Sequence, residues 1–256
     1  MMRESLVCFF TIARRETTRI FRIWVQTLVP PVITMTLYFI VFGSFIGSQL
    51  SGIKGFEYMA FIAPGLIMMS IITNSYTNTV SSFFSTKFQK NIEEMLVSPT
   101  PNWVIVLGFV SGGVVRGLSV GLMVSLVSLV FIRLPLYSFI YAAVFAFLTS
   151  FVFALAGMIN GIFAKKFDDI SIIPTFVITP LTYLGGVFYS ISLLPDFWRM
   201  VSRANPIIYM IDGFRYGFLG ISDMRVTSGL GMLCFFAVLL FSLNLYLLRK
   251  GIGIRS

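Results

Sequence analysis

Six apolar stretches, each of 20 residues or more, run through this 256-residue chain and leave only short connections between them. They lie at about 25–46, 58–81, 104–131, 138–163, 170–190 and 229–248. Because about 20 apolar residues in a helix cross the hydrocarbon core of a bilayer, each stretch predicts a transmembrane helix. Only 11% of the residues are charged, and 57% are hydrophobic. We therefore expect an all-α membrane protein with six transmembrane helices, organised as a single domain over residues 1–256.

The basic residues predict the orientation of these spans. An even number of spans places both termini on the same side of the membrane. If that side is the cytoplasm, twelve of the nineteen Lys and Arg residues lie in inner segments, six lie in outer segments, and Arg116 lies within a span. Lys and Arg are in excess in the cytoplasmic loops of membrane proteins. We therefore expect both termini to be cytoplasmic, and the net charge of +9 does not call for a nucleic-acid partner.

Residues 1–22 predict an amphipathic helix ahead of the first span. Apolar residues recur there at three- and four-residue steps, from Leu6 through Phe10 to Phe21, whereas four arginines fall mostly on the opposite side. A helix of this kind lies in the membrane interface with its apolar side in lipid. It serves either as a topology anchor or as a docking surface for a cytoplasmic partner, and the sequence leaves both roles open.

Two connections are long enough to carry function. The inner connection, 82–103, has a helix-like middle and is stopped by Pro99 and Pro101. The outer connection, 191–228, is moderately apolar and contains two short helix-like pieces bounded by Pro195 and Pro206. We expect these two connections to carry most of the function.

Arg116 lies near the middle of the third predicted span. A guanidinium at that depth costs about 2.5–3.5 kcal/mol even on mild insertion scales, so its side chain has to face protein or water. It is therefore either a contact for an anionic substrate or a gate, or else a structural arginine that bridges helices.

The second predicted span is polar along one side of its later half, where Ser70, Asn74 and Asn78 follow one another at four-residue spacing. A water-accessible substrate path would need such a face, and hydrogen bonds between helices would use it equally well. Small residues also recur in the third and fourth spans and predict close helix packing, within one chain or between two copies. These residues are Gly113, Gly117, Gly121, Ser125, Gly157 and Gly161.

Several chemistries are excluded by composition. The chain has no histidine, so a catalytic histidine and a His-built zinc site are ruled out. Cys8 and Cys234 lie at opposite ends of the sequence and predict neither a metal cluster nor a disulfide. The acidic residues fall in predicted connections or at span ends, so we expect no proton-relaying carboxylate inside the membrane. No phosphate-binding G-x-x-x-x-G-K-[ST] loop is present. We expect a non-enzymatic transport protein without a metal or cofactor of its own, either passive or driven by a cytoplasmic partner.

The region from the fifth span into the outer connection resembles the signature of ABC-2-type integral-membrane permeases. Eleven specified positions match within 38 residues, and the closing pattern P-I-x-Y-x5-R reads PIIYMIDGFR here. The six-span plan is similar over the whole chain. The matching residues are Ile178, Leu181, Leu184, Gly185, Val187, Leu194, Pro195, Pro206, Ile207, Tyr209 and Arg215.

The resemblance implies an assembly in the bacterial inner membrane. Two copies of this chain would form the translocation path, and two copies of a separate P-loop ATPase, which binds ATP and Mg, would drive it. The segment from Lys87 to Pro99 would be a coupling helix seated in a cleft of the ATPase. The residues assigned to this contact are Lys87, Phe88, Lys90, Glu93, Glu94, Met95 and Leu96, with Asp168 and Asp169 of the second inner connection as auxiliary contacts.

The resemblance also implies that the outer connection folds back as short re-entrant helices over the exit. Its candidate residues are Trp198, Tyr209, Asp212 and Arg215, of which the last two are spaced to pair across one helical turn. We expect an exporter of an amphiphile, because a path lined by Asn, Ser, Thr and aromatic residues suits a molecule with apolar and polar parts. The alternative is an ion-coupled carrier or a passive channel that has no ATPase partner.

Overall fold

The computed structural model describes residues 2–46 and 52–253, and regular structure within these ranges is helical. The first residue and the last three, which belong to the predicted cytoplasmic termini, lie outside these ranges, as do residues 47–51 of the first outer connection. The α-helices are α1 (Met2–Arg22), α2 (Trp24–Tyr38), α3 (Tyr58–Phe88), α4 (Asn91–Val97), α5 (Asn102–Phe131), α6 (Phe139–Phe163), α7 (Asp169–Ile173), α8 (Thr179–Tyr183), α9 (Asp196–Ala204), α10 (Pro206–Leu219) and α11 (Val226–Lys250). Residues Phe39–Ile46 and Pro174–Ile178 are π-helical, and Ile191–Leu193 form a 3₁₀ turn.

Five helices in the described part of the chain are long and apolar enough to cross a membrane. They are Trp24–Gly43, α3, α5, α6 and α11, so five of the six apolar stretches form helices of spanning length. The sixth, 170–190, is interrupted: α7 passes into a π-helical segment at Pro174, and helix α8 ends at Tyr183. Proline lacks the backbone N–H of an α-helical ladder, which explains why the helix changes its winding at Pro174.

Helix α3 is the centre of the bundle. In its most apolar window 83% of the residues are buried, compared with 17% in α11. It packs against α5, α6 and α10, so protein surrounds it on several sides. The large side chains Phe61, Tyr76 and Phe83 along its length are each no more than 2% exposed.

The small residues of α5 and α6 pack against α3 of the same chain. A Cβ atom built on Gly157 would lie 2.5 Å from the carbonyl oxygen of Tyr76. Gly117 faces the hydroxyl of Ser75, and Gly121 faces the side chain of Ile71. These glycines therefore allow backbones to approach closely, and the predicted packing role is confirmed within one chain.

Helix α1 packs along the bundle on one of its sides. Ile12 contacts Gly108 and Glu16 contacts Gly112, so α1 runs alongside the first half of α5 and in the same direction. Helix α2 begins after a break at Ile23 and also packs against α5. Helix α1 thus has three sides. Ile12, Glu16 and Ile20 are buried against the bundle, the apolar side is partly exposed, and the arginines occupy the third side.

The bundle has two ends that matter for function. We call the end with Phe88, α4 and Asn102 the α4 end, and the end with α9, α10 and the start of α11 the α10 end. Helices α9 and α10 start after Pro195 and at Pro206, so both helix-like pieces of the outer connection are confirmed as helices. Helix α10 has 14 residues, which is too short to span a bilayer, and it packs against α3, α6 and α11.

Candidate functional site: a coupling helix and two polar clusters

Helix α4 is a short helix fixed at the end of α3. Lys90 adopts a left-handed conformation (φ 60°), and this turn redirects the chain from α3 into α4. Ile92 is 1% exposed and belongs to a core cluster shared with α5 and α6. Because that side chain is buried, α4 is held against the bundle while Glu93 and Glu94 remain exposed.

The predicted coupling segment is shorter in the structure than its sequence limits. The inner connection was expected to begin at residue 82, but α3 continues to Phe88, and α4 covers only Asn91–Val97. Lys87 therefore belongs to α3. Its Nζ donates hydrogen bonds to the carbonyl oxygens of Ile162 (2.5 Å) and Ala164 (2.9 Å). Lys87 thereby satisfies carbonyl groups at the C-terminus of α6 that have no partner within the helix.

The other predicted coupling residues divide by exposure. Met95 and Leu96 are half-buried and pack on the core cluster around Ile92. Val97, which the sequence did not single out, is 88% exposed. The side chains of the predicted set that stand open to a partner are Phe88, Lys90, Glu93 and Glu94.

The second inner connection lies beside α3. The rings of Phe88 and Phe167 meet with centroids 5.1 Å apart, and Phe84 joins the same group. The carboxylate of Asp169 accepts hydrogen bonds from the backbone N–H groups of Lys165 (2.8 Å) and Lys166 (3.0 Å), which closes the turn after α6. Asp168 precedes α7 with an exposed side chain. The structure therefore brings the two predicted contact regions together at the α4 end.

A polar cluster that the sequence did not reveal lies between α1, α3 and α5. Glu16 is 2% exposed, and it accepts hydrogen bonds from Ser82 Oγ (2.5 Å), Arg15 (3.1 Å) and Arg19 (3.0 Å). Arg19 also donates to Asn78 Oδ1 at 3.1 Å. Glu16 was assigned to a surface helix, and only the four-residue spacing Ile12, Glu16, Ile20 indicates that it faces the bundle.

Asn74, Asn78 and Arg116 do not share one surface. Asn74 donates to the carbonyl oxygen of Ser70 in its own helix at 3.0 Å and is 6% exposed. Asn78 is hydrogen-bonded to Arg19, and Arg116 lies one helical turn beyond Gly112, whose Cβ position meets the side chains of Glu16 and Asn78. Between spans, Ser75 and Ser150 are hydrogen-bonded at 2.7 Å. Part of the polar face of α3 therefore joins helices, and Asn78 and Arg116 belong to the cluster around Glu16.

A second polar cluster at the α10 end is centred on Arg215. Its Nε donates to the carbonyl oxygen of Phe61 (3.2 Å), and its Nη2 donates to that of Gly186 (2.6 Å). The side chain is almost fully buried. Arg215 therefore ties α10 both to α3 and to the turn that follows α8.

Asp212 and Arg215 were predicted to pair across one helical turn. Their closest charged atoms are 3.9 Å apart, which is at the outer limit of an ion pair. The stronger contacts of Asp212 are to the loop before α11, where its carboxylate accepts from Asp223 N (2.9 Å), Met224 N (2.9 Å) and Ser222 Oγ (2.7 Å). Asp212 therefore fixes that loop as well as facing Arg215.

Asp223 links the same loop to two other segments. Its carboxylate accepts from Ser190 Oγ at 2.8 Å and from the ammonium group of Lys54. Partial burial acts to raise the pKa of Asp223, but hydrogen bonds from Lys54 and Ser190 outweigh it and hold the pKa below its ordinary value of 3.8. The loops at the α10 end are thus joined through ionised Asp223.

Trp198 and Tyr209 lie at the edge of this end. Trp198 is 49% exposed and packs edge-to-face with Phe197, which is 64% exposed. Tyr209 is half-buried, and its hydroxyl donates to the carbonyl oxygen of Arg203 at 3.1 Å. Helix α9 therefore presents aromatic surface outward, whereas α10 provides the buried part of the outer connection.

The sequence model of the ABC-2 type transporter family matches residues 7–219. This range includes α4, all of α10 and both polar clusters, apart from the loop before α11. The chain belongs to the ABC-2 type transporter family. Inner membrane transport permease YadH of Escherichia coli (strain K12) is 56% identical to it over 256 residues, the full length of both chains. The protein of that name from Shigella flexneri has the same identity and coverage. Nodulation protein J of Rhizobium meliloti (strain 1021) is 28% identical over 215 residues, or 84% of this chain and 82% of that protein.

The structure gives a physical reason for the ABC-2 signature. Val187 packs so closely on Gly65 that a Cβ atom there would lie 2.9 Å from the Val187 carbonyl oxygen. Arg215 binds the neighbouring carbonyl of Gly186, and Gly185 lies against Ile207. The signature residues of this family member therefore hold the turn after α8 between α3 and α10.

Proposed function

We propose that this chain is the membrane-spanning permease subunit of an ATP-driven exporter in the bacterial inner membrane. Two copies form the translocation path for an amphiphile, and two copies of a separate cytoplasmic P-loop ATPase drive it. Membership in the ABC-2 type transporter family supports the partnership with an ATPase. The name of the YadH relatives, inner membrane transport permease, supports the location and the activity. ATP and Mg are bound by the partner, and this chain transmits the resulting movement.

The observation that carries this proposal is the seating of α4. Ile92 anchors the helix in the core, and Glu93 and Glu94 project from it at the end of α3. Since α3 is one continuous helix from Tyr58 to Phe88, a displacement of α4 reaches the centre of the bundle through a stiff connection. A coupling element needs these two properties: an exposed surface that contacts the ATPase, and a rigid connection to the helices of the translocation path.

The proposed topology has six spans with both termini cytoplasmic, and the α4 end is the cytoplasmic end. The fifth span is formed by Asp169–Tyr183 and continues into the turn that follows. At about 1.5 Å per residue, this helical part is about 22 Å long, so the turn completes the crossing. Thr179 Oγ1 donates to the carbonyl oxygen of Pro174 at 2.9 Å, which satisfies a carbonyl group at the irregular winding. Helices α9 and α10 are the re-entrant segment at the outer surface.

The experiment is co-purification from native membranes in mild detergent, with mass spectrometry of the bound proteins and an assay of ATP hydrolysis. We expect a P-loop ATPase in stoichiometric amount. Charge reversal at the coupling helix, Glu93→Lys with Glu94→Lys, should reduce its recovery severalfold while the permease still inserts. The matched control reverses the charge of two exposed acidic residues at the opposite end of the bundle, Glu57→Lys with Asp196→Lys. It should leave the amount of co-purified ATPase unchanged.

Two results would contradict the proposal. Equal loss of the ATPase in both double variants would show that α4 has no special part in the contact. A chain that purifies alone from cells that express its genomic neighbours would favour the alternative, an ion-coupled carrier or passive channel without an ATPase.

A further inference from the structure

The cluster around Glu16 has more hydrogen-bond donors than acceptors. The Nε atoms of Arg19 and Arg116 and the Nδ2 atom of Asn78 are all buried and have no acceptor within the described residues. Asn78 itself is 2% exposed. Leaving a buried donor without a partner costs about 1–3 kcal/mol, and more when the group is charged, so three such atoms in one cluster indicate a position that an acceptor-rich group fills.

The three donors lie close together. Arg19 is hydrogen-bonded to Asn78, and Asn78 Nδ2 is 3.2 Å from a Cβ atom built on Gly112. Arg116 lies one helical turn beyond Gly112 on the same side of α5, and a Cβ atom built on Gly112 would meet the side chains of both Glu16 and Asn78. The carboxylate of Glu16 accepts a hydrogen bond from each of Arg15 and Arg19. Its single negative charge is smaller than the summed positive charge of the arginines, so the cluster has a net positive charge.

A groove on α1 adjoins these donors at Arg19. It has a volume of about 560 Å³, and Arg14, Arg15, Arg19 and Arg22 line it together with Thr11 and Thr18. Arg19 therefore belongs to both the groove and the buried cluster. Arginine presents several N–H groups in a planar fork that fits the oxygens of phosphate and carboxylate groups, so the groove attracts an anion and the cluster supplies the specific contacts.

The depth of the cluster fits a lipid-like molecule. Asn78 and Gly112 each lie ten residues from the α4 end of their helix, which corresponds to about 15 Å along the axis. Helices α3 and α5 have 31 and 30 residues and are about 15 Å longer than a hydrocarbon core of about 30 Å. If this excess extends into the cytoplasm, the cluster lies at the inner boundary of the hydrocarbon core, where the head group of an inner-leaflet amphiphile is found.

We propose that Arg19, Asn78 and Arg116 form a binding site for the anionic head group of an amphiphile, reached from the inner leaflet through the arginine groove of α1. This inference rests on the proposed function, which it extends by giving the transported class a negative charge. The same chemistry fits a phospholipid that stays bound beside the path, and the experiment separates these two sources.

The test measures lipid binding by the purified permease alone, in neutral detergent, by native mass spectrometry. Phosphatidylglycerol and phosphatidylcholine are added in equal amounts as the anionic and zwitterionic probes. We expect the wild-type chain to prefer phosphatidylglycerol by about tenfold or more, since one good charged contact already changes affinity about tenfold. Arg19→Gln with Arg116→Gln should lose most of that preference.

The matched control is Arg249→Gln with Lys250→Gln, which removes two positive charges from exposed residues at the same end of the bundle. It should keep the preference. Because Glu16 retains Arg15 and Ser82 as partners, the first double variant is expected to fold. The isosteric change Asn78→Asp provides an independent variant, since it can still accept from Arg19 but repels an anion.

Three results would overturn the proposal: no preference in the wild-type chain, equal loss in the control, or full preference in Asn78→Asp and in the Arg19 and Arg116 variant. A fluorescent phosphatidylglycerol in vesicles with the complete complex then identifies the source. ATP-dependent movement between leaflets marks a transported amphiphile, and retention on the permease marks a resident lipid; both outcomes support the site. Lipid binding is measured without the ATPase, so it tests the head-group site alone. Co-purification of the ATPase tests the exporter proposal independently.

Discussion

The guanidinium of Arg215 lies 4.0 Å above the centroid of the Phe61 ring and at the same time binds the Phe61 carbonyl oxygen. A cation over an aromatic face contributes about 2 kcal/mol when both are removed from water. Truncation by Arg215→Ala should therefore destabilise the fold by roughly 3 kcal/mol, because carbonyl groups and a ring lose a buried partner. Arg215→Lys should be intermediate, since it keeps the charge but not the planar fork.

The measurement for Arg215 is thermal unfolding of the purified chain in detergent. Arg203→Ala is the control, because Arg203 is an exposed arginine at the same end and its side chain should contribute less than about 0.5 kcal/mol. An equal fall in stability for both variants would show that Arg215 does not fix α10 to α3.

Asp223 gives a prediction for pH. Its pKa is held below 3.8 by Lys54 and Ser190, so folding favours the ionised form. The resulting stability is fully present above the unfolded pKa and is lost as the pH falls through the lowered folded value. We expect the wild-type chain to be more stable than Asp223→Asn at neutral pH, and this difference to shrink below about pH 4. Melting curves of both chains over pH 3 to 7 test it, and a constant difference would contradict it.

Gly157 is required by the contact between α6 and α3. Gly157→Ala places a methyl group against the Tyr76 carbonyl and should cost about 1–3 kcal/mol, because a backbone atom cannot move aside cheaply. Gly231 on α11 has open space around its Cβ position. Gly231→Ala should be neutral or stabilising by up to about 1 kcal/mol through helix propensity. Thermal unfolding in detergent compares the two, and similar effects would argue against the packing role.

Substitutions of Lys87 and Lys90 should differ in their effect on stability, although both residues were predicted to contact the ATPase. Lys87→Met removes two hydrogen bonds to the end of α6 and should destabilise the fold by about 1–3 kcal/mol. Lys90→Met changes an exposed side chain and should cost less than about 0.5 kcal/mol. Chemical unfolding of each variant measures the difference, and a larger loss for Lys90→Met would reverse the assignment.

Much of the helical architecture could be predicted from hydropathy, because a span needs a long apolar run. Five stretches were confirmed in this way, and the remaining one, 170–190, is interrupted at Pro174. The end of α3 was placed too early, since Ser82 to Phe88 is polar enough to be taken for a loop. In the structure Ser82 and Lys87 have buried partners on α1 and α6, and a single sequence does not show such partners.

The polar clusters were harder to predict for the same reason. Asp212 and Arg215 were recognised from their spacing, but their strongest bonds go to residues far along the chain or outside the helix. Glu16 was hidden because α1 looked like a two-sided helix, whereas it has a third side that faces α5. Contacts within one turn follow from sequence spacing, and contacts between helices depend on how they pack. The assignment of Glu93 and Glu94 to an ATPase contact stays a prediction.

The central position of α3 has a consequence for how the family can diverge. Most residues of α3 contact neighbouring helices. A substitution on α3 that preserves the fold should therefore be accompanied by a compensating substitution on α5, α6 or α10. The side chains of α11 and α2 that face outward have fewer neighbours within the chain. Substitutions between relatives should therefore accumulate on the periphery, while the amino-acid sequence of α3 changes slowly.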